Sequence, residues 1–110
     1  MYSRGEIVLI PVPFTDLSAT KRRPVLVMSN DSYNATNQDI VVVAVTSNQL
    51  QSGISIATSD MTQGQLPKPS VIRNDKIYTL NQSIVVKRIG RIADDVLDKV
   101  RTEIVNLVSK

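Results

Sequence analysis

The stretch KRRPVLVMSNDSYNATNQDIVVVAVT, residues 21–46, decides the fold of this chain. It contains two short apolar runs, residues 25–28 and 40–45, which are separated by a polar turn over residues 29–38. Runs of this length that are rich in β-branched residues and bounded by Asn, Asp, Ser and Pro are typical of β-strands. The stretch therefore predicts two neighbouring strands joined by a turn.

The predicted turn would bring Arg23, at the start of the first strand, close to Thr46, which ends the second. An arginine carries a planar fork of donors that matches phosphate oxygens, and a threonine hydroxyl can donate to the same group. Each residue also has an ordinary structural interpretation, as a solvated arginine beside a strand and as a β-branched residue that favours strands. A phosphate-binding rim and a plain end of a sheet are both compatible with this pattern.

The composition limits the classes of function. The 110 residues fit a single domain, residues 1–110, and the hydrophobic and charged shares, 42% and 21%, are usual for a folded globular protein. The formal charge of +3 is compatible with a polyanionic partner. The chain has no Cys and no His, which excludes a disulfide framework, a cysteine nucleophile and the usual acid and base at neutral pH. We expect neither a metal nor a cofactor.

The apolar runs are short. None approaches the roughly 20 residues that span a bilayer, and the first residues do not resemble a signal peptide. Together with the lack of cysteine, these features favour a soluble protein of the reducing cytoplasm that has no membrane partner.

Further strands are predicted where apolar runs or strict alternation recur, over residues 7–12, 54–57, 70–73, 77–80 and 87–92. The third and fourth of these segments could form one interrupted strand or two short ones. Pro11 is expected to place the first strand at an edge or a bend, because proline cannot donate a ladder hydrogen bond. Loops are predicted at residues 15–20 and around Gly64, Pro67 and Pro69.

The last segment changes its period. From Asp94 to Val108 the apolar residues recur at spacings of three and four, which predicts an amphipathic helix with one buried face. Asp94 and Asp95 suit the positive end of the helix dipole. Several short strands followed by one helix predict a mainly β (α+β) fold, either a small curved barrel or two packed sheets, which the helix closes.

Arg73 and Asp75 form a second candidate pair, because strand residues two apart point the same way. The pair could supply a phosphate contact and a proton acceptor, or it could be an exposed ion pair worth about 0–1 kcal/mol. Lys87, Arg88 and Arg91 add positive charge, which in such a run is usually solvated. The sequence contains no phosphate-binding glycine loop, nucleophile elbow or metal-spaced ligand cluster.

Five segments carry a resemblance to a known family. They are Gly5-Glu6-Ile7-Val8-Leu9, Arg22-Arg23-Pro24-Val25-Leu26-Val27, Ser29-Asn30-Asp31, Ala44-Val45-Thr46-Ser47-Asn48 and Ser70-Val71-Ile72. In this order they resemble the MazF/PemK/Kid family of toxin–antitoxin ribonucleases, and the Arg-Pro-Val-Leu-Val block is specific in combination with the distant Thr at a strand end. The resemblance implies a small SH3-like curved β-barrel with a C-terminal amphipathic helix, which forms a homodimer and is neutralised by a cognate antitoxin protein.

The resemblance also implies an activity, the metal-independent cleavage of single-stranded RNA at short sequence motifs. Carried over residue by residue, the family's catalytic arginine and threonine fall on Arg23 and Thr46. An Arg and an Asp of the PemK/Kid branch fall on Arg73 and Asp75. Further candidates for RNA contacts are Lys21, Arg22, Ser47 and Asn48. A histidine that some members carry in the first loop has no counterpart here.

The hypothesis that follows is an attack on the phosphate by the RNA's own 2′-hydroxyl, which leaves a 2′,3′-cyclic phosphate. Arg23 and Thr46 would stabilise the developing charge, and Arg23 is also a candidate donor to the leaving oxygen. Asp75 is the candidate base and Arg73 the second phosphate contact. The loop from Phe14 to Arg22 is a candidate gate over the RNA groove.

Two rival functions use the same sequence features differently. The gyrase-poisoning CcdB toxins share this barrel, so a gyrase inhibitor that docks its terminal helix is the first alternative, although it would not need the pair of Arg23 and Thr46. A non-catalytic nucleic-acid-binding module is the second. Such modules usually stack bases on aromatic residues, and this chain has only one Phe and three Tyr.

Overall fold

The structure, a computed structural model, describes residues 1–13 and 20–110. The strands are β1 (Glu6–Pro13), β2 (Thr20–Val27), β3 (Asp39–Thr46), β4 (Ile54–Ile56), β5 (Met61–Gly64), β6 (Ser70–Asn81) and β7 (Lys87–Ile92). The helices are α1 (Asp31–Thr36) and α2 (Asp94–Leu107). Most of the predicted loop at residues 15–20, and of the candidate gate from Phe14 to Arg22, lies outside the described residues. The rest of both, from Thr20 onward, belongs to β2 and not to a loop.

The strands form one antiparallel sheet in the order β4-β6-β3-β2-β1-β7-β5. The sheet curls into a half-barrel, and α2 follows its last strand. The prediction of a mainly β fold with a small curved barrel and a C-terminal helix is confirmed. The predicted strand pair at residues 21–46 is also confirmed, because β2 and β3 pair with Val25 opposite Ala44 and Val27 opposite Val42.

Both faces of the sheet carry apolar clusters, because successive strand residues point to opposite sides. On one side, Leu26 and Val43 belong to a cluster that includes Val96 and Val100 of α2. We call this the helix-side cluster. On the other side lies the groove-side cluster, formed by Val8, Ile10, Val25, Val27, Ile40 and Val42. The alternation within β2 and β3 therefore decides which side chains build the core under α2 and which line the opposite face.

Helix α2 begins and ends close to the predicted bounds. It runs from Asp94 to Leu107, and its buried residues are Val96, Leu97 and Val100. Asp94 and Asp95 lie in its first turn, where a negative charge is favourable. The prediction of an amphipathic helix with one buried face is confirmed.

The predicted turn over residues 29–38 is wrong in part, because it contains α1. The Asn30 side chain accepts a hydrogen bond of 2.8 Å from the Tyr33 backbone N–H and so caps this helix. Asn34, which is 2% exposed, donates to the backbone oxygens of Tyr2 and Ser29 at 2.9 and 3.0 Å. The six residues of this helix are too few to show an apolar periodicity in the sequence. The helix depends instead on these polar contacts.

Strand β5 corrects part of the predicted loop around Gly64, Pro67 and Pro69, because Gly64 is the last residue of this strand. It pairs with β7, and Gly64 lies opposite Gly90. Gly64 has a φ of +72°, and a Cβ atom there would clash with the backbone of Ile89. The glycine thus permits both the left-handed conformation and the close approach of the two strands. In the sequence alone, the same glycine indicates a loop.

The two predicted segments at residues 70–73 and 77–80 form one strand, β6, with a bulge. Its pairing with β3 moves from Ile77 opposite Val43 to Arg73 opposite Ala44, so residues 74–76 are extra on the β6 side. Pro11 behaves as the sequence indicates. The pairing of β1 with β7 extends only to Leu9, whereas its pairing with β2 continues to Pro13, so Pro11 lies where one side of the strand is unpaired.

A short 3-10 turn, Gln82–Ile84, precedes β7. Across the described parts of the chain, none of the helices combines the length and the apolar character needed to cross a bilayer.

Candidate functional site

Arg23 and Thr46 meet on the groove-side face. Arg23 precedes Val25 by two residues on β2, and Thr46 follows Ala44 by two residues on β3, so the register that pairs Val25 with Ala44 would place them opposite each other. Both residues line the same two cavities. Arg23 lies inside β2 and not at its start, because the strand begins three residues earlier, at Thr20.

The two cavities abut across this strand pair and share the wall that Arg23, Pro24, Val45 and Thr46 form. The first measures about 590 Å³ and continues toward β1 and β6, where it includes Tyr78. The second measures about 410 Å³ and continues toward β7 and the loop before β6, where it includes Lys68 and Lys87. We call them the tyrosine cavity and the lysine cavity. Both have the size of typical ligand sites, about 300–1,000 Å³.

The Thr46 hydroxyl is oriented by the chain that follows it. Its oxygen accepts a hydrogen bond of 3.1 Å from the Asn48 backbone N–H, and the Asn48 side chain accepts one of 3.0 Å from Leu50 N–H. A hydroxyl that accepts in this way keeps its own proton for donation. Thr46 can therefore present a donor toward the cavities while the turn after β3 fixes its position.

Arg73 lines the tyrosine cavity and is held from two sides. Its Nε and Nη2 atoms donate to the two carboxylate oxygens of Asp75, each at 3.3 Å, and its Nη1 donates to Oε1 of Gln51. Its side chain is 18% exposed, whereas that of Asp75 is 46% exposed. The guanidinium is thus fixed at the cavity wall, and the ion-pair interpretation of Arg73 and Asp75 describes their geometry.

Asp75 lines a different depression from Arg73. That depression, of about 450 Å³, lies between the β6 bulge and α2 and also includes Lys99 and Glu103. The hydrogen bond from Arg73 is the main cause that lowers the pKa of the Asp75 carboxyl below its ordinary value of 3.8. At neutral pH the group is ionised, as a proton acceptor must be, but the same bond makes it a weaker base.

The other predicted site residues divide into two groups. Arg22 and Ser47 line the lysine cavity. Lys21 lies two residues before Arg23 on β2, and Asn48 holds the turn after β3, but neither lines either of the two cavities among the described residues. The structure thus brings Arg22, Arg23, Thr46, Ser47 and Arg73 to one continuous surface and places Asp75 behind Arg73.

The charges of this surface have one sign. The described residues that line the two cavities include six cationic side chains, Arg22, Arg23, Lys68, Arg73, Lys76 and Lys87, and no Asp or Glu. Two other depressions differ from these cavities, since the one that Asp75 lines and one between α1 and α2 each include at least one carboxylate. A polyanion would therefore find its complementary field at the cavities that Arg23 and Thr46 share.

Sequence inspection missed Gln51, Lys68 and Tyr78 and undervalued Lys87. Gln51 and Lys68 lie in loops without a pattern, and only the tertiary fold brings them to the site. Lys87 was grouped with Arg88 and Arg91, which have structural partners. Arg88 forms an ion pair with Glu6 at 2.7 Å, and Arg91 donates to the backbone oxygen of Arg4 at 2.8 Å. Of these three cations, Arg88 and Arg91 therefore have structural contacts, whereas Lys87 lines the lysine cavity.

The described residues offer no metal site, since no three of their His, Cys, Asp or Glu side chains cluster suitably for one.

Comparison with known proteins gives a consistent result. Residues 3–108 match the family described as "PemK-like, MazF-like toxin of type II toxin-antitoxin system". The chain is 34% identical over 101 residues to Endoribonuclease MazF2 of Mycobacterium bovis, an alignment that covers 89% of each protein.

Solved structures share the fold. A MazE–MazF structure from Deinococcus radiodurans superposes with a TM-score of 0.78 at 21% identity and covers 97% of this chain and 95% of its own. A mycobacterial endoribonuclease in complex with its cognate antitoxin gives a TM-score of 0.75 at 20% identity, over 96% of this chain and 90% of its own. At these identities the superpositions establish the fold alone.

The Arg73–Asp75 contact makes a prediction about pH. Because folding lowers the pKa of Asp75, the contact stabilises the folded protein above about pH 3.8 and is lost as the pH falls through the lowered pKa. In the variant Arg73→Gln, we expect a carbon-detected NMR titration to show the Asp75 pKa returning toward 3.8. The control Arg101→Gln, on α2, should leave the Asp75 titration unchanged. An unaltered Asp75 titration in Arg73→Gln would show that the contact is not formed in solution.

Proposed function

Because this chain belongs to the family of PemK-like, MazF-like toxins of type II toxin–antitoxin systems, we propose that it is a toxin that acts as an endoribonuclease on single-stranded RNA, such as mRNA, with a preference for short sequence motifs. The observation that carries this proposal is the placement of Arg23 and Thr46 on the shared wall of two cavities lined by cations. The relative at 34% identity, which is named as an endoribonuclease, supports the same activity.

The proposed reaction needs only the RNA and side chains of the protein. The 2′-oxygen forms a bond to phosphorus, the bond from phosphorus to the 5′-oxygen breaks, and the products are a 2′,3′-cyclic phosphate and a 5′-hydroxyl. One proton leaves the 2′-hydroxyl and one is delivered to the 5′-oxygen. Arg23 and Thr46 donate hydrogen bonds to the phosphorane oxygens, where negative charge develops, and Arg23 is our candidate donor to the leaving oxygen.

Arg73 is the second proposed phosphate contact. Asp75 and Gln51 hold its guanidinium at the wall of the tyrosine cavity, so little side-chain entropy remains to be lost when a phosphate binds. Asp75 is our candidate base. For this role the 2′-hydroxyl must approach over the rim of β6 beside Arg73, because the Asp75 carboxylate lines the depression behind it.

The proposed partners follow from the family and from one depression that contains exposed apolar side chains. This depression, of about 660 Å³, lies between α1, α2 and the helix-side face of the sheet. Three of its residues are large and at least one-third exposed, Tyr33 at 36%, Ile77 at 41% and Val105 at 51%. We assign this surface to a homodimer contact.

The other proposed partner is a cognate antitoxin protein, and the proposed location is the cytoplasm. The superposed mycobacterial endoribonuclease is described as a complex with its cognate antitoxin, and the Deinococcus radiodurans structure is described as MazE–MazF. An antitoxin that covers the cationic cavities should compete with single-stranded RNA for this protein, and simultaneous binding of both would contradict this assignment.

Removal of Arg23 should reduce cleavage strongly. In excess EDTA, we expect the unmodified protein to cut single-stranded RNA to a 2′,3′-cyclic phosphate end and to leave an analogue with 2′-deoxy sugars intact. Arg23→Ala should lower kcat by about a hundred- to a thousandfold, because it removes one preorganised donor to the developing charge. Lys110→Ala removes a cation from an exposed residue that lines none of the described cavities and depressions, and should cleave at the unmodified rate.

Two outcomes of this assay would be negative. Undiminished cleavage by Arg23→Ala would remove Arg23 from the mechanism. If the unmodified protein fails to cut any strand of a varied RNA pool, the ribonuclease proposal is wrong, and a CcdB-like gyrase inhibitor or a non-catalytic nucleic-acid-binding module takes its place.

The variant Asp75→Asn tests the proposed base. An amide oxygen can still accept from Arg73, but the group cannot take up a proton, so we expect kcat to fall about a hundredfold or more with little change in KM for RNA. Gln51→Ala is the comparison, because it loosens Arg73 without removing a base, and should mainly raise KM. Equal and small losses in the two variants would restrict Asp75 to the positioning of Arg73.

The homodimer proposal is tested by light scattering after size exclusion. We expect the unmodified protein to have twice the mass of one chain, and Val105→Asp to have the mass of one chain, because a buried charge without a partner is costly at an interface. Leu50→Asp, at a loop residue that is 93% exposed, should remain dimeric. A dimeric Val105→Asp would place the contact elsewhere.

A further inference from the structure

The tyrosine and lysine cavities differ in chemistry although they share one wall. Beyond that wall, the tyrosine cavity has an apolar lining that includes Ile10, Pro11 and Leu80, and its aromatic residue, Tyr78, is 49% exposed. The lysine cavity instead gathers the side chains of Arg22, Lys68 and Lys87. Both cavities carry cations beyond the shared wall, since Arg73 and Lys76 also line the tyrosine cavity. Among the described residues that line the two cavities, only those of the tyrosine cavity include an exposed aromatic ring.

The β6 bulge explains how Tyr78 comes to the groove-side face together with Arg73. Arg73 lies opposite Ala44 and Tyr78 lies opposite Val42, and these two β3 residues are two apart and point the same way. In an unbroken strand, residues 73 and 78 would point to opposite faces, because they are five apart. The three extra residues of the bulge, an odd number, reverse the alternation and bring both side chains to one surface.

These cavities match the two chemical parts of a single-stranded nucleic acid. Aromatic side chains bind bases by stacking, which tolerates any sequence because every base has a π-face. Cationic side chains bind the phosphates between the bases. Since Arg23 and Thr46 form the wall between the cavities, a phosphate held by these two residues would have one neighbouring nucleotide on each side.

We infer that the protein binds the strand asymmetrically around the phosphate at Arg23 and Thr46. The base on one side stacks on Tyr78 in the tyrosine cavity, and the backbone on the other side runs across the lysine cavity, where Arg22, Lys68 and Lys87 neutralise its phosphates. This inference rests on the proposed function and extends it, since it assigns Tyr78, Lys68 and Lys87 to substrate binding.

The first arm of the test measures binding without cleavage. The probe is a fluorescein-labelled single strand with 2′-deoxy sugars and mixed sequence, which the 2′-oxygen reaction cannot cut, and the readout is fluorescence anisotropy. Tyr78→Ala should raise Kd about five- to 150-fold, the range of one lost stacking contact, and should leave the salt dependence of binding unchanged. Tyr78→Phe keeps the ring and should bind like the unmodified protein.

The second arm measures the slope of log K against log salt concentration. Lys68→Gln and Lys87→Gln should each reduce the size of this slope by about 0.7, the value for one phosphate contact to a single strand. Lys110→Gln, at an exposed residue beyond α2 that lines none of the cavities and depressions described above, is the matched control and should leave the slope unchanged. Changes in the lysine variants would thus be electrostatic, whereas the change in Tyr78→Ala would not.

The outcomes distinguish a failure of this inference from a failure of the proposed ribonuclease activity. If the unmodified protein does not bind the probe and does not cut RNA, the proposed function fails and the inference with it. If it binds and cuts while Tyr78→Ala keeps its Kd, or both lysine variants keep the full salt slope, the ribonuclease proposal stands and the asymmetric binding is overturned.

Discussion

The antiparallel pairing of β2 with β3 is the constraint on which the rest of the structure depends. With Val25 opposite Ala44, alternation sends Leu26 and Val43 toward α2 and sends Val25 and Val42 to the groove-side face. The same register would set Arg23 beside Thr46. A slip of one residue would exchange the two faces, so the core under α2 and the cationic wall of the cavities are determined by one set of backbone hydrogen bonds.

Most of the fold could be predicted because its strands and its last helix carry strong periodic signals. Runs such as residues 40–45 are short and rich in β-branched residues, which favours a strand over a buried helix, and α2 repeats its apolar residues with helical spacing. The missed elements have a different origin. Helix α1 depends on the cap from Asn30 and the buried amide of Asn34, and β5 depends on close contact with β7, so neither leaves a local apolar pattern.

The candidate site was predictable only where its residues are close in sequence or belong to a recognisable motif. Arg73 and Asp75 are close enough in sequence for an ion pair to be anticipated, although they lie at the bulge and line different depressions. Arg23 and Thr46 belong to segments of the family resemblance. Gln51 could not be found in this way, because its bond to Arg73 joins the loop after β3 to strand β6, and only the folded sheet brings these two segments together. Tyr78 required knowledge of the bulge, which reverses the direction of every later side chain on β6.

The placement of Asp75 reconciles two opposing electrostatic demands. A surface whose charged residues are all cations attracts a polyanion, but the cations repel one another. An Arg73 side chain without a partner would also lose rotamer freedom when a phosphate fixes it. A carboxylate in the cavity would relieve the repulsion and also weaken the attraction. Asp75 approaches Arg73 from the neighbouring depression, so it fixes the guanidinium while the cavity lining keeps a single sign of charge. The bulge makes this possible, because it moves Asp75 out of the regular alternation that would place it on the same face as Arg73.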